Sequence, residues 1–328
     1  MRKRILGRTG LEVGELGMGG GFVSSRGGDF EQSRGAVRRA LELGVNYIDT
    51  APTYHDSEEV LGKILEDVKQ PLILSTKLGG RPNPFEPRNK AHLRQSIEES
   101  LRLLKRDRVD ILMVHEPDRF RQYDWWDDQE RFTGPVLEVL DDLKSEGTIR
   151  FTGLGGTTPY ELAALMATGR FDVVLTAFNY SLLWREAAIE VIPTAKRLNL
   201  GLVIGSPLQQ GALAARYDAQ VYDGAPWLSR PRREQYKVLY AYLDELGMPL
   251  VEVALRFVLS NPDISCVLNG ARSAQEIETS LSYAEKGPLP AEILKRLDEI
   301  AALVPFRPFN EPFGLPFASN KRLQIGRA

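Results

Sequence analysis

The stretch N-Y-I-D-T-A-P-T-Y-H, Asn46 to His55, ends an apolar run on Asp49 and brings Tyr54 five residues later. Alone it has ordinary readings: an aspartate that forms a turn or caps a helix, and a tyrosine that packs half-buried. Two later runs change its weight. Leu72 to Thr76 is closed by Lys77, and Val109 to Val114 is closed by His115. Three successive apolar strands thus each deliver an ionisable group at the carboxyl end. In an eight-stranded α/β barrel those ends meet on one face, where such enzymes build their active sites. The pattern predicts a (β/α)8 TIM barrel in which four scattered residues become neighbours.

The chain has 328 residues, 43% of them hydrophobic and 26% charged, which suits one barrel domain spanning 1–328. A net charge of -2 gives no electrostatic footprint for nucleic acid or an anionic membrane. Small molecules are the expected partners. Cys266 is the only cysteine, so a disulfide framework and a thiolate metal cluster are both excluded. No long apolar segment reads as a signal or membrane helix, and the expected location is cytoplasmic. Three histidines without clustered carboxylates at strand ends offer no metal site.

Lys3 to Leu6 and Leu11 to Val13 flank a turn-rich gap and predict a hairpin within residues 1–14 that plugs the amino-terminal end of the barrel. Strands are expected at Glu15 to Gly19, Ile149 to Leu154, Asp172 to Ala177, Leu202 to Gly205 and Ile264 to Leu268, besides the three above. Helices alternate with them: Glu31 to Leu43, Ser57 to Leu65, Lys90 to Leu104, Gly134 to Glu146, one from Thr158-Pro159, and Glu186 to Leu198. Further helices are expected at Arg232 to Leu246, Val251 to Ser260, Ser273 to Tyr283 and Pro290 to Leu303. The triplet Gly19-Gly20-Gly21 lets backbone approach a ligand closely, and is also what a flexible turn looks like. Two connections are long, Glu116 to Thr133 and Pro207 to Pro231, and long segments on a catalytic face are where substrate selection resides. In the first, Tyr123, Trp125 and Trp126 interleave with acidic residues. That mixture suits either sugar C–H stacking with hydroxyl recognition or an amphipathic lid packed on the barrel rim. The tail from residue 304 to 328 is rich in Phe and Pro and needs an apolar surface to cover.

The four ionisable residues suggest carbonyl chemistry. A tyrosine titrates near ~10, so as a general acid it needs a cation to stabilise its anion. A lysine ammonium about 4 Å away, at an effective dielectric of about 20, supplies roughly 4 kcal/mol, an upper bound of about three pK units. Asp49 holds Lys77 charged, and His115 donates to a carbonyl oxygen aimed at Tyr54. The competing structural account is a buried ion pair beside a packed tyrosine and histidine.

From G-R-T-G-L-E-V to the final helices the chain resembles the aldo-keto reductase superfamily. The resemblance rests on D-T-A-P-T-Y at Asp49 to Tyr54, S-T-K at Ser75 to Lys77 and V-D-I-L-M-V-H at Val109 to His115. S-P-L at Ser206 to Leu208 and G-A-R-S at Gly270 to Ser273 extend it. It implies a catalytic tetrad of Asp49, Tyr54, Lys77 and His115, with Tyr54 the proton donor, and a nicotinamide dinucleotide as cofactor. By the same resemblance Ser206 and Leu208 hold the pyrophosphate, and Gly270, Arg272, Glu276 and Ser280 lie at the adenosine end. Gly20 and Gly156 join them as expected cofactor-binding positions. Departures are visible too. Gly155-Gly156 stands where many members have Ser-Asn, Ala177 where they have a glutamine, and Gly205 where a stacking tyrosine is common. With I-S-C-V-L-N-G at Ile264 to Gly270, these resemble the sugar-dehydrogenase branch that includes L-galactose dehydrogenase.

The resemblance implies interconversion of a carbonyl and an alcohol, or of a sugar hemiacetal and its lactone, with NAD(P)(H). Some barrels of the superfamily instead serve as cofactor-sensing regulatory subunits of a membrane channel; the intact tetrad and the lack of a long N-terminal extension favour the enzyme. Glu276, where NADP-using relatives place an arginine or glutamine, leans the cofactor toward NAD(H), and Arg272 pulls the other way.

Overall fold

A two-stranded antiparallel hairpin, β1 (Lys3–Ile5) and β2 (Glu12–Gly14), leads into the barrel in the computed structural model, which describes residues 1–119, 124–225 and 228–306. Eight parallel strands follow: β3 (Leu16–Gly19), β4 (Tyr47–Asp49), β5 (Ile73–Leu78) and β6 (Val109–His115), then β7 (Ile149–Gly156), β8 (Val173–Ala177), β9 (Gly201–Gly205) and β10 (Cys266–Asn269). They close in chain order, β10 pairing with both β9 and β3. The expected (β/α)8 barrel and its hairpin are therefore both present.

Helices run between the strands: α1 (Phe30–Glu42), α2 (Ser57–Leu65), α3 (Lys90–Leu104), α4 (Pro135–Ser145), α5 (Pro159–Ala167), α6 (Val191–Arg197), and the pair α7 (Arg230–Leu246) and α8 (Leu250–Leu259) between β9 and β10, with α9 (Ala274–Glu285) and α10 (Ala291–Ala302) after the last strand. Local signals set their starts. Asp29 and Gln32 form a capping box on α1, Asn89 caps α3, Ser273 caps α9, and a proline opens α4 and α5. Most differences from the expected bounds are one or two residues. The larger one is the helix expected from Glu186 to Leu198: a 3-10 turn spans Glu186–Ala188 and α6 begins at Val191. Pro193 explains it, since inside a longer helix its ring would meet the carbonyl four residues back; in the first turn its missing N–H costs nothing.

Strand parity separates two cores. Tyr47, Ile73, Ile111, Met113, Val173, Leu175, Val203, Cys266 and Leu268 fill the barrel interior, and Leu6 and Val13 of the hairpin join that cluster. The hairpin plugs the barrel as expected, helped by an ion pair the sequence did not announce: buried Glu15 meets Arg2 at 2.9 Å and Arg4 at 3.3 Å. Because side chains alternate along a strand, Asp49 shares its face with Tyr47, Lys77 with Ile73, and His115 with Ile111 and Met113. Period two therefore carries all three ionisable groups into the mouth above the plug.

Candidate active site

Asp49, Lys77 and His115 stand at or near the ends of β4, β5 and β6, in register with Ser75, Met113 and Gly155 respectively. Lys77 Nζ donates to Asp49 Oδ2 at 2.6 Å and to the Thr50 carbonyl at 2.8 Å. Ser75 Oγ donates to the other carboxylate oxygen at 3.1 Å. An ammonium has three donors, so one remains. Nζ lies 4.8 Å from the centroid of the Tyr54 ring, and the His115 ring meets that ring edge-on, centroids 6.0 Å apart. The four residues expected to carry the chemistry are thus brought together. Asp49 and Lys77 are each 1% exposed, while Tyr54 is half-buried and reachable from the mouth.

Burial governs how these groups titrate. It pulls the Lys77 ammonium down, yet Asp49 and Tyr54 together outweigh it and hold Lys77 above its usual range. Burial likewise pushes Asp49 up against the pull of Lys77. For Tyr54 burial is the largest influence and raises the phenol, with Lys77 drawing it back only in part. The lowering expected from the lysine alone is therefore outweighed, because desolvation of a phenolate exceeds one cation's attraction. His115 is lowered to about 3, first by burial and then by Lys77 and Arg119, so its ring is neutral near pH 7. Thr53 Oγ1 lies 3.4 Å from its Nδ1. With the hydroxyl donating there, Nε2 keeps the hydrogen that a carbonyl oxygen needs.

The expected cofactor positions are divided. Ser206 follows β9 in a left-handed conformation (φ 55), as do Gln209 (φ 49) and Gln210 (φ 54), a contorted main chain of the kind that gathers N–H groups around an anion. Leu208 is half-buried in the same turn. Gly270, at the end of β10, lies against the Phe22 ring, 3.2 Å from where its side chain would begin. Arg272 is exposed and 5.8 Å from the Phe22 centroid; Arg26 is 5.6 Å from the same centroid. Glu276 is tied to Arg272: its Oε2 accepts from the Arg272 N–H at 2.8 Å and its Oε1 lies 3.5 Å from Nη2. Ser280, one helical turn beyond Glu276 on α9, is buried. Gly20 is buried where β3 turns, against the Asp49 carbonyl.

Of the two readings open for Trp125 and Trp126, their burial matches the packed lid rather than the sugar-stacking one. They are 0% and 6% exposed. Their indole N–H groups donate to the carbonyls of His115 and Pro117, each at 3.2 Å. Trp125 packs on Phe85 and Trp126 on Phe132. Neither ring offers a face to a sugar: this part of the loop is the amphipathic lid, since a large aromatic with one polar atom is buried cheaply once that atom is bonded. Tyr123 lies outside the described residues, as does the tail beyond Phe306. Among the described residues no three His, Cys, Asp or Glu are grouped to hold a metal ion, and no helix is long and apolar enough to cross a membrane.

Asn179 escaped sequence reasoning, and Asp118, one of the acidic residues expected to accept from sugar hydroxyls, is turned onto the main chain instead. Asp118 is 4% exposed, its Oδ2 accepts from the N–H groups of Thr157, at 2.7 Å, and Thr158, and burial pushes its carboxyl up to about 6. Asn179 is 1% exposed and holds the Thr157 carbonyl. Both sit in loops, and no periodicity marks them.

A model of the aldo/keto reductase family matches residues 15–302. The chain is 28% identical over 324 residues to L-galactose dehydrogenase of Arabidopsis thaliana, across 95% of this chain and 97% of that protein. It is 25% identical to a putative voltage-gated potassium channel subunit beta of Schizosaccharomyces pombe, across 92% and 94% of the two chains. Among solved structures, the holo form of an aldo-keto reductase from Bacillus halodurans matches with a TM-score of 0.75 at 26% identity, covering 95% of this chain and 100% of that one.

Proposed function

The chain belongs to the aldo/keto reductase family, and on that premise we propose that it interconverts a carbonyl or hemiacetal with an alcohol or lactone, using NAD(P)(H) and acting on an aldose or related polar aldehyde. The observation that carries the reading is the ammonium of Lys77, bonded to Asp49 at 2.6 Å and 4.8 Å from the Tyr54 ring, with His115 across that ring. Tyr54 is the general acid and base. In reduction it gives its proton to the carbonyl oxygen, and Lys77 stabilises the phenolate left behind. His115, neutral, donates from Nε2 to the same oxygen and aims the carbonyl. Asp49 keeps Lys77 charged and in place. In oxidation the proton returns along the same path.

A nicotinamide, when bound, exchanges the hydride with the substrate carbon. The mouth suits such a ligand. The left-handed turn from Ser206 stands at the end of β9 and the exposed Arg272 cation stands beyond β10, and these suit the phosphate and ribose end of a dinucleotide. The sugar reading is supported by the likeness to L-galactose dehydrogenase. The likeness to a channel beta subunit keeps a regulatory role as the second reading, and the polar residues assembled around Tyr54 favour turnover. A reducing, cytoplasmic setting belongs to the proposal, supported by a lone buried cysteine. A spectrophotometric screen of aldoses and simple aldehydes or alcohols with both cofactors tests it. Turnover of aldoses is the expected result; activity confined to hydrophobic aldehydes or steroids defeats the sugar reading, and no turnover at all defeats the enzyme.

A further inference from the structure

How the three hydrogens of the Lys77 ammonium are shared decides what is left for Tyr54. Two free oxygens on one buried carboxylate would both be drawn to the cation, because nothing screens the attraction. Asp49 gives it only one. Oδ2 accepts a single hydrogen at 2.6 Å, the Thr50 carbonyl accepts a second at 2.8 Å, and the third is left for the phenol. Oδ1 is engaged elsewhere: it accepts from Ser75 Oγ at 3.1 Å. A carboxylate has no hydrogen to give, so the serine must be the donor.

Ser75 stands two residues before Lys77 on β5 and pairs in register with Asp49 on β4. Strand parity puts it on the interior face with Lys77, and it is 0% exposed, so bulk solvent is not at hand to replace its hydroxyl. It also helps hold the Asp49 carboxyl down against burial. Thr76, between the two, lies on the opposite face. Its Oγ1 donates at 2.6 Å to the buried carboxylate of Glu58 on α2. One strand thus gives a hydroxyl to each of two buried carboxylates, and only the Ser75 one bears on the reacting groups.

We propose that Ser75 is a positioning residue for the proton transfer: by occupying Oδ1 it restricts Asp49 to one hydrogen of the Lys77 ammonium and reserves another for the Tyr54 oxygen. The inference rests on the role given to Tyr54 above. Without the hydroxyl, Oδ1 turns to the ammonium, takes the reserved hydrogen and draws Lys77 off the phenol. Among the groups that act most on that phenol Lys77 is the one cation, while Asp49 and Glu116 act against it and His115 is neutral, so no other group makes up the loss. The test follows kcat against pH in alcohol oxidation for the wild type, Ser75→Ala, Ser75→Thr and Thr76→Val. In Ser75→Ala, kcat near neutral pH falls about tenfold and KM stays within about twofold. The limb that reports Tyr54 moves about one pH unit upward, because a phenolate with a weaker cation holds its proton more tightly. Ser75→Thr keeps the hydroxyl and the wild-type limb. Thr76→Val loses an equally buried hydroxyl bonded to a carboxylate and leaves the limb in place, whatever it does to stability. An unmoved limb in Ser75→Ala overturns the proposal, and so does an equal movement in Thr76→Val. Should Ser75→Ala fail to fold, Ser75→Cys takes its place, a thiol being a weak donor, with the same direction expected. If the wild type turns over no substrate, the proposed function fails, and a crystal structure of Ser75→Ala decides this inference alone. Both Asp49 oxygens within about 3.2 Å of Lys77 Nζ uphold it, and any other placement of the carboxylate overturns it.

Discussion

The carboxyl group of Asp118 occupies the space that a side chain on Gly156 would need: a Cβ there would lie 2.7 Å from Oδ2 and 2.8 Å from Cγ. The carboxylate cannot easily yield, because Thr157 and Thr158 hold it by their N–H groups. Gly156→Ala should therefore destabilise the fold by about 1–3 kcal/mol, the usual cost of overpacking a rigid site. Combining it with Asp118→Ala should make the two losses less than additive, since the second change removes the obstacle. Urea midpoints for the wild type, both single variants and the double variant measure this. Strict additivity would mean that the two residues do not compete for space.

Tyr54→Phe should reduce turnover to background while cofactor affinity stays within about twofold, because in the proposed mechanism the phenol oxygen acts in the proton transfer and not in holding the dinucleotide. Fluorescence titration reads the affinity and steady-state rates read the turnover. A Tyr54→Phe protein that keeps most of the wild-type turnover number on any substrate would remove Tyr54 from the role of proton donor.

The barrel and the polar cluster in its mouth were legible in the sequence for one physical reason. A parallel strand buried on both faces reads as an apolar run, so an ionisable residue closing it stands out, as Asp49, Lys77 and His115 do. Capping residues such as Asp29 and Asn89 mark helix starts just as locally. What stayed hidden depends on partners far along the chain. Asp118 matters through Thr157, and Asn179 through the same residue, separations of 39 and 22 positions that no local pattern encodes. Trp125 and Trp126 were ambiguous for a related reason: an indole facing a ligand and an indole bonded to the carbonyls of His115 and Pro117 have the same letters around them.

Two buried groups should tilt stability against pH in opposite senses. His115 titrates near 3 in the folded protein and near its ordinary 6.5 when unfolded, so between those values the unfolded chain binds the extra proton. Its contribution is lost as pH falls through that window, by about 1.4 kcal/mol per pH unit at most. Asp118 titrates near 6 folded, against an ordinary 3.8, so the folded protein binds the extra proton and stability is lost as pH rises between them. From about pH 6 to 4 the two slopes largely cancel. Asp118→Asn should expose the His115 slope and lose stability on acidification more steeply than the wild type, while His115→Gln should gain stability over the same interval. Denaturant unfolding at half-unit pH steps compares the three. Parallel curves for wild type and Asp118→Asn would show that Asp118 does not hold its proton in this range.

Arg272 and Glu276, the two residues expected to set cofactor choice, are joined in the structure. The Glu276 carboxylate accepts from the Arg272 N–H at 2.8 Å and approaches its guanidinium at 3.5 Å, while Ser273 Oγ accepts from the Glu276 N–H at 3.2 Å. Glu276 is thus fixed beside the arginine. A 2′-phosphate brought to Arg272 would meet that carboxylate as well, and either the ion pair opens or two anions share one cation. A bare 2′-hydroxyl meets no such conflict and can donate to the carboxylate. Both side chains are about half exposed, so screening keeps the effect modest. The expected outcome is a wild type that prefers NAD(H), and a Glu276→Gln variant whose ratio of kcat/KM values shifts toward NADP(H) by about tenfold, or ~1.4 kcal/mol. Arg272→Ala should lower NADP(H) use further and leave NAD(H) nearly unchanged, because only the phosphate needs the cation. Kinetics with both cofactors in all three proteins measure the shifts. An unmutated enzyme that prefers NADP by more than about tenfold would sink the NAD(H) assignment, because Arg272 would then be prevailing over a carboxylate bonded to its own backbone.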